Sequence, residues 1–232
     1  MPMMGYCCHC GCTVGFWGDC DQSVWAGGID FPASWTKLTG RTKDNLTDCN
    51  VLVVGRYAFG SPYTDQPSTA DEYTAVSSWI TGGGVLFVLH DYYGVPSTVP
   101  SSVVTDLNTF LAGISTEARA VATSGPNPNA TDFPVGTYDT SVSDPLLTGV
   151  DKLHVAAPGW MDLGTATLMM EARKSPSDAY AEILSKEAYG DGFVVFCNDF
   201  SMVNNSAAAT AITTDGNKIN RLLSNLCSIS TN

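Results

Sequence analysis

The sequence predicts an α/β fold with a flavodoxin-like, open and mostly parallel sheet, helices on both faces of that sheet, and a cysteine-rich N-terminal arm. Continuous apolar runs that fit strands buried on both faces occur at 51–55, 85–89 and 193–197. A helical pattern separates the first two runs. Because a strand–helix–strand unit crosses over right-handed into a parallel sheet, these features together favour the α/β class.

The first 48 residues differ in composition from the rest of the chain. They hold five of the eight cysteines and three of the five tryptophans, together with many glycines. We interpret residues 1–48 as a Cys/Trp/Gly-rich arm or an elaborated first strand. Residues 49–232 are then a single α/β domain, a size that can bury one large core.

The first strand–helix–strand unit can be followed residue by residue. The run VLVVG at 51–55 is the first strand of the domain. Thr69 and Glu72 have the spacing of a capping box, in which the hydroxyl and the carboxylate each accept a free backbone N–H at the start of a helix. That helix ends at the glycines 82–84, directly before the strand at 85–89.

The later elements are less regular than this unit. Residues 115–165 are rich in Pro, Gly, Thr and Asp, which predicts short strands and long loops. The glycines of the stretch 189–192 predict a tight turn between two strands. Helices are predicted at 101–113 and 215–229, and strands at 166–172, 179–187 and 193–197.

The charge of the chain excludes several classes of partner. There are 11 Lys and Arg against 23 Asp and Glu, which gives a formal net charge of -12. Such a chain repels phosphate backbones and anionic lipid, so we expect no nucleic acid partner. No window approaches the roughly 20 apolar residues of a membrane span, so we expect no membrane insertion. Charged residues make up only 15% of the chain, and the first residues show no signal peptide. A surface of uncharged polar groups is typical of virion, extracellular or cell-surface proteins.

Four segments carry motifs of a known superfamily. They are NVLVVG at 50–55, SSWITGGGVLFVL at 77–89, DPLLTGV at 144–150 and YGDGFVVFCNDFSMVNN at 189–205. In this order they resemble the class I glutamine amidotransferase-like superfamily, in its divergent, non-catalytic branches such as the gliding-associated transport and ThuA-like domains. The resemblance covers about residues 49–230. DPLLTGV is similar to the His-Pro-Leu-x-x-Gly stretch of that superfamily, with Asp144 where His is common.

The chain departs from the catalytic members of that superfamily at both catalytic positions. Those members carry a nucleophilic Cys just after the strand equivalent to 85–89, where this chain has His90 and Asp91. They carry a His-x-Glu pair after a late strand, where this chain has Asn198 and Asp199. Cys197 lies in a buried run and is interpreted as a core residue. The resemblance therefore implies the fold without amidotransferase or peptidase chemistry.

Polar residues that follow the predicted strands are the candidate site. Two carboxylates and an imidazole can bind a metal or serve as acid and base in hydrolysis. The favoured alternative is that they cap strands and helices through local hydrogen bonds. The catalytic candidates are His90, Asp91 and Asp199, and the candidates for a ligand-binding edge are Arg56, Tyr57, Tyr92 and Asn198.

The N-terminal cysteines are a second candidate site. Zinc needs four ligands, commonly with pairs spaced as C-x2-C, and one such pair is present. Disulfides that staple the arm, some of them between subunits, are the favoured interpretation. The residues concerned are Cys7, Cys8, Cys10, Cys12 and Cys20, with His9 as a further zinc ligand.

These observations favour a non-enzymatic structural or interaction protein. We expect it to be a subunit of a larger assembly, such as a virion or a surface structure, with copies of itself or other subunits as partners. No cofactor is expected, with zinc at the N-terminal cysteines as the alternative. The competing hypotheses are a hydrolase that uses His90, Asp91 and Asp199, and a carbohydrate- or ligand-binding module at the same sheet edge.

Overall fold

The computed structural model describes thirteen segments of the chain. These are residues 11–17, 25–30, 34–37, 46–55, 69–91, 101–121, 137–138, 143–155, 159–173, 181–204, 209–210, 213 and 218–231. The described strands are β1 Thr13–Trp17, β2 Ser34–Lys37, β3 Val51–Val54, β4 Val85–Leu89, β5 Arg119–Ala120, β6 Thr137–Tyr138, β7 Met161–Asp162, β8 Thr167–Arg173, β9 Ala181–Tyr189 and β10 Gly192–Cys197. The described helices are α1 Ala70–Thr81, α2 Ser101–Gly113, α3 Ser201–Asn204 and α4 Ile219–Ile229, with a 3-10 turn at Pro145–Leu147.

Eight of these strands form one mixed sheet, in the order β2-β1-β3-β4-β10-β9-β8-β6. The five strands from β2 to β10 are parallel to their neighbours. Their order is the 2-1-3-4-5 order of flavodoxin-like folds. The remaining strands β9, β8 and β6 extend the sheet in antiparallel fashion. The predicted fold class is confirmed, and β5 and β7 add a separate two-stranded ribbon.

Two strands of the main sheet come from the region predicted as an arm. β1 pairs with β3 in parallel, with Val14 opposite Val51, and β2 pairs with β1, with Thr13 opposite Ser34. Four of the five residues of β1 are buried. The cysteine- and tryptophan-rich composition of this region hides the strands, because it interrupts the apolar runs from which strands are recognised. β1 and β2 therefore belong to the same sheet as the strands of residues 49–232.

The core lies on both faces of the sheet. β3 and β4 are buried along their whole length, as expected for central parallel strands. On one face, Val53 and Phe87 pack in a cluster with α4, and we call this the α4 face. On the other face, Leu86 and Val88 pack in a cluster with α1 and α2, the α1/α2 face. The prediction of helices on both faces is confirmed.

The start of α1 has the hydrogen bonds of a capping box. The backbone N–H of Glu72 donates to Thr69 Oγ1 at 3.3 Å, and the backbone N–H of Thr69 donates to Glu72 Oε2 at 3.0 Å. Both bonds satisfy donors that have no partner within the helix. The sequence prediction for this helix start is confirmed.

Replacing Thr69 by alanine is expected to lower the free energy of unfolding by about 1 kcal/mol, because it removes the cap. Urea denaturation followed by circular dichroism measures the change. Thr74→Ala is the matched control, since Thr74 is exposed within the same helix and its hydroxyl donates only to the Ala70 carbonyl. Equal losses in the two variants would contradict a capping role for Thr69.

Within the described segments, none of the helices is long and apolar enough to cross a membrane.

Candidate functional site

The structure brings the two predicted polar pairs together at one edge of the sheet. His90 and Asp91 follow β4, and Asn198 and Asp199 follow β10. β4 and β10 are parallel neighbours whose last residues, Leu89 and Cys197, lie opposite each other. The backbone N–H of His90 donates to the Cys197 carbonyl at 2.7 Å. The pairs therefore meet at the carboxyl edge, where open α/β sheets bind ligands.

All four of these residues are buried. The exposed fraction is 2% for His90, 5% for Asp91 and 0% for both Asn198 and Asp199. A catalytic group must reach a substrate atom directly or through one water molecule. In the state described, these side chains belong to the protein interior.

Asn198 joins three parts of the molecule. Its Nδ2 donates to the Glu182 carbonyl at 3.1 Å, and its backbone N–H donates to the Ile183 carbonyl at 3.0 Å. Its own carbonyl accepts the backbone N–H of Gly159. The residue thus connects the end of β10 to β9 and to the segment that leads into β7.

Gly159 lies directly against His90. A Cβ atom at position 159 would stand 2.7 Å from both the Asp91 carbonyl oxygen and His90 Cδ2, so only glycine permits this approach. His90 Nε2 is buried and has no hydrogen-bond partner, and the same holds for Asn198 Oδ1. The edge therefore keeps unused hydrogen-bonding capacity beneath a closely packed backbone.

Burial lowers the pKa of His90 to about 4. The imidazole is therefore neutral near pH 7. A general base works best when its pKa is close to the working pH, so this histidine is a poor base.

Cys49 and Cys197, the described cysteines outside the disulfide, are unsuited to nucleophilic attack. Burial, followed by the charge of Asp48, raises the pKa of Cys49 to about 11. Burial also raises the pKa of Cys197 far above its usual value, and the charges of Asp199 and Asp91 act in the same direction. Both thiols are protonated at neutral pH, whereas the nucleophile is the thiolate. Cys197 is a core residue, as its position in an apolar run predicts.

Cys12 forms a disulfide with Cys227, with their Cα atoms 5.9 Å apart. A disulfide at Cys12 agrees with the favoured interpretation of the cysteines, although its partner lies in α4 and outside the arm. Cys227 is 215 positions away along the chain, yet α4 packs on the face of the sheet that β1 contributes to. A disulfide-bonded Cys12 is not available as a zinc ligand.

The other predicted site residues lie outside the described segments. They are Arg56, Tyr57, Tyr92, Cys7, Cys8, His9, Cys10 and Cys20. Among the described residues, no group of three or more His, Cys, Asp and Glu side chains is arranged to hold a metal ion.

Asp144, which replaces the common His of the resembled motif, has a structural role. It accepts the backbone N–H of Leu146 at 2.8 Å and so caps the 3-10 turn. Its other oxygen pairs with Lys186 of β9. The Lys186 ammonium also lies 4.5 Å from the centroid of the Phe193 ring. The ion pair anchors the turn to the antiparallel half of the sheet.

Sequence reasoning missed a row of buried polar residues on β9. Glu182, Ser185 and Glu187 are each 6% exposed or less. The sign in the sequence is the pattern AEILSKEAY, in which polar residues interrupt a strand that the antiparallel sheet buries. A polar residue in the interior of a sheet needs a partner, so this row marks a site of specific contacts.

The chain shares its fold with several solved structures, whereas no family model and no curated protein matches the sequence. The cytoplasmic protein STM1381 from Salmonella typhimurium LT2 is 13% identical, with a TM-score of 0.58 over 94% of this chain and 100% of that one. The structure named mmIFT52 N-terminal domain is 10% identical, with a TM-score of 0.56 over 92% of this chain and 97% of that one. The β-galactosidase from Bacillus circulans sp. alkalophilus is 9% identical, with a TM-score of 0.50 over 93% of this chain and 30% of that one.

A putative ThuA-like protein from Bacteroides uniformis also matches, at 12% identity and a TM-score of 0.45. Identities this low concern the fold and say nothing of activity. What the comparisons establish for this chain is an α/β fold that known proteins of differing description share.

Proposed function

We propose that the chain is a non-enzymatic structural or interaction domain that acts as a subunit of a larger assembly. The observation that carries this proposal is the burial of the whole polar edge formed by His90, Asp91, Asn198 and Asp199. Enzymes of the resembled superfamily keep their nucleophile and base at this edge. Here its polar groups are enclosed by protein.

The chemistry of the edge supports the same conclusion. Covalent catalysis requires an activated nucleophile within hydrogen-bond reach of a base. Cys197 is a protonated thiol in the core, and the imidazole of His90 is neutral with a pKa of about 4. Neither residue supplies an activated group at neutral pH.

Two further observations support a place in an assembly outside the reducing cytosol. The Cys12–Cys227 disulfide suits an oxidising compartment, which is where a virion or cell-surface protein functions. In the β-galactosidase the similar region is 30% of the chain, so this fold also occurs as one part of a larger protein. We propose copies of this chain or other subunits as the partners, with no cofactor.

The test has a catalytic arm and an assembly arm. Purified protein is assayed against chromogenic esters, amides and glycosides, beside the His90→Gln and Asp199→Asn variants. We expect the three proteins to give the same background rate. Turnover by the wild type that is lost in both variants would establish the hydrolase instead.

The assembly arm measures mass by light scattering over a range of concentrations, with and without reductant. We expect a species larger than the monomer in at least the oxidised sample. A monomer under every condition, together with no capture of a second subunit after crosslinking in its native surroundings, would overturn the assembly role.

A further inference from the structure

Residues 159–166 form a strap that crosses from the polar edge to the α1/α2 face. At its start, Gly159 lies against His90 and donates its N–H to the Asn198 carbonyl. Its middle is β7, which pairs with β5 in the ribbon. Near its end, Gly164 has a φ of +53° and crosses the backbone of Glu117 so closely that a Cβ would stand 2.8 Å from the Glu117 carbonyl carbon. The strap thus contacts the polar edge at its start and the segment just before β5 near its end.

Two register shifts between β8 and β9 determine which side chains of β9 lie on the face of the sheet that the strap contacts. Ser185 pairs with Phe196 and Glu187 with Val194, and both partners belong to the core of the α1/α2 face. The shifts next to Met170 place one extra residue on each strand. Glu182 consequently points to the same side as Ser185, and it accepts the backbone N–H of Met161 in the strap.

The two halves of the ribbon are held by different contacts. The β5 half is tied to α2, because Asn108 accepts the Ala120 N–H at 2.8 Å and donates to the Ala120 carbonyl at 2.8 Å. Glu187 Oε1 accepts the N–H of Glu117 at 3.2 Å, just before β5. The β7 half meets β9 through the carboxyl of Glu182. The Trp160 carbonyl also accepts the N–H of Val121, beside β5. A change in the charge of Glu182 therefore acts on the β7 half of the ribbon, whereas the contacts of β5 with α2 do not involve Glu182.

Glu182 lies in a surrounding that disfavours its charge. It is 5% exposed, and its Oε2 is buried without a hydrogen-bond partner. Among the described residues, Asp162 on the strap acts on it through its charge, and Glu171 lies directly opposite it on β8. Arg119 is the register partner of Asp162, but its Nη1 donates to the carbonyls of residues 116 and 118. Like charges opposite each other on a sheet are destabilising.

We propose that the strap is a proton-controlled cover for the polar edge, closed while Glu182 is protonated and loosened when Glu182 loses its proton. The geometry supplies the two parts that such a device needs. One is a buried carboxyl beside two other acids, and the other is a short segment that contacts that carboxyl and the edge. The cover works in the same way whether the edge binds a ligand or only a partner.

The direction of the pH dependence follows from the closed state. Burial is the main cause that raises the pKa of Glu182 from its ordinary 4.5 to about 7; Asp162 adds to it, and the Met161 N–H opposes it. The closed strap thus binds the proton more tightly than the open strap. Protonation of Glu182 therefore stabilises the closed strap fully below pH 4.5. This stabilisation is lost as the pH rises from there through about 7.

Hydrogen exchange of the full chain tests the device. The protection factors of the amides in 159–162, which are corrected for the intrinsic exchange rate, are measured at about pH 5.5 and about pH 8. Linkage predicts that they fall roughly tenfold or more from the lower to the higher pH. In Glu182→Gln, a neutral residue of the same shape, we expect no fall. Glu187→Gln is the matched control on the same strand, and it should keep the fall seen in the wild type.

Two results would overturn the proposal: unchanged protection in the wild type, or a fall that persists in Glu182→Gln. If that variant does not fold, Asp162→Asn takes its place, because Asp162 is exposed and asparagine keeps the oxygen that accepts the Gly164 N–H. The substitution removes the negative charge of Asp162, which lowers the pKa of Glu182. The midpoint of strap opening should then move to lower pH, and an unmoved midpoint would also refute the device.

Discussion

Replacing Cys12 by serine together with Cys227 by alanine is expected to lower the free energy of unfolding by up to about 5 kcal/mol. The disulfide joins residues 215 positions apart, so it closes nearly the whole chain into a loop. A crosslink over a long loop restricts the unfolded chain most strongly, and this bond also ties the start of β1 to α4. Urea denaturation of the oxidised proteins measures the difference.

The control for this prediction is the response to reductant. Reduction should destabilise the wild type by an amount close to that of the double substitution. The double variant itself should respond to reductant only through cysteines other than Cys12 and Cys227. Equal stability of the wild type and the double variant would mean that the disulfide does not constrain the unfolded state.

Phe87→Ala is expected to destabilise the fold by about 4 kcal/mol, the second large effect. Phe87 lies in the middle of β4, the central strand, and has no exposed surface. Its ring packs in the core of the α4 face, so the truncation removes buried apolar area and leaves a cavity. The midpoint of thermal unfolding and the urea midpoint should both fall.

Phe193→Ala makes the same chemical change at a half-buried position and serves as the control. Phe193 is the second residue of the neighbouring strand β10, where it packs beside the core and under the Lys186 ammonium. We expect Phe193→Ala to lower the free energy of unfolding by less than half as much as Phe87→Ala, because the side chain of Phe193 buries less surface. A larger loss at Phe193 would show that the edge of this core matters more than its centre.

The central part of the fold is predictable from the sequence because its residues act locally. The apolar runs at 51–55 and 85–89 become β3 and β4, and the capping box at Thr69 starts α1. Each of these depends on a pattern within about ten residues, which burial on both faces or a free backbone N–H imposes. The hairpin of β9 and β10 is equally local, since glycines form its turn.

Features that depend on distant neighbours were not predictable in the same way. β3 offers β1 a partner and β1 offers one to β2, and Cys12 pairs with a cysteine of the last helix. Glu182 faces the strap only because paired register shifts turn it there. The polar edge is intermediate: the sequence places its four residues together, but the close approach of Gly159 to His90 and Asp91 has no sign in the sequence.

The link between Cys12 and Cys227 has a mechanical consequence. A force that pulls on the chain outside these two residues is carried by a covalent bond and bypasses the hydrogen bonds of the sheet. The 215 positions between them cannot be drawn out while the bond is intact. Under tension the distance between the two cysteines therefore stays nearly constant, and the sheet between them carries none of the load.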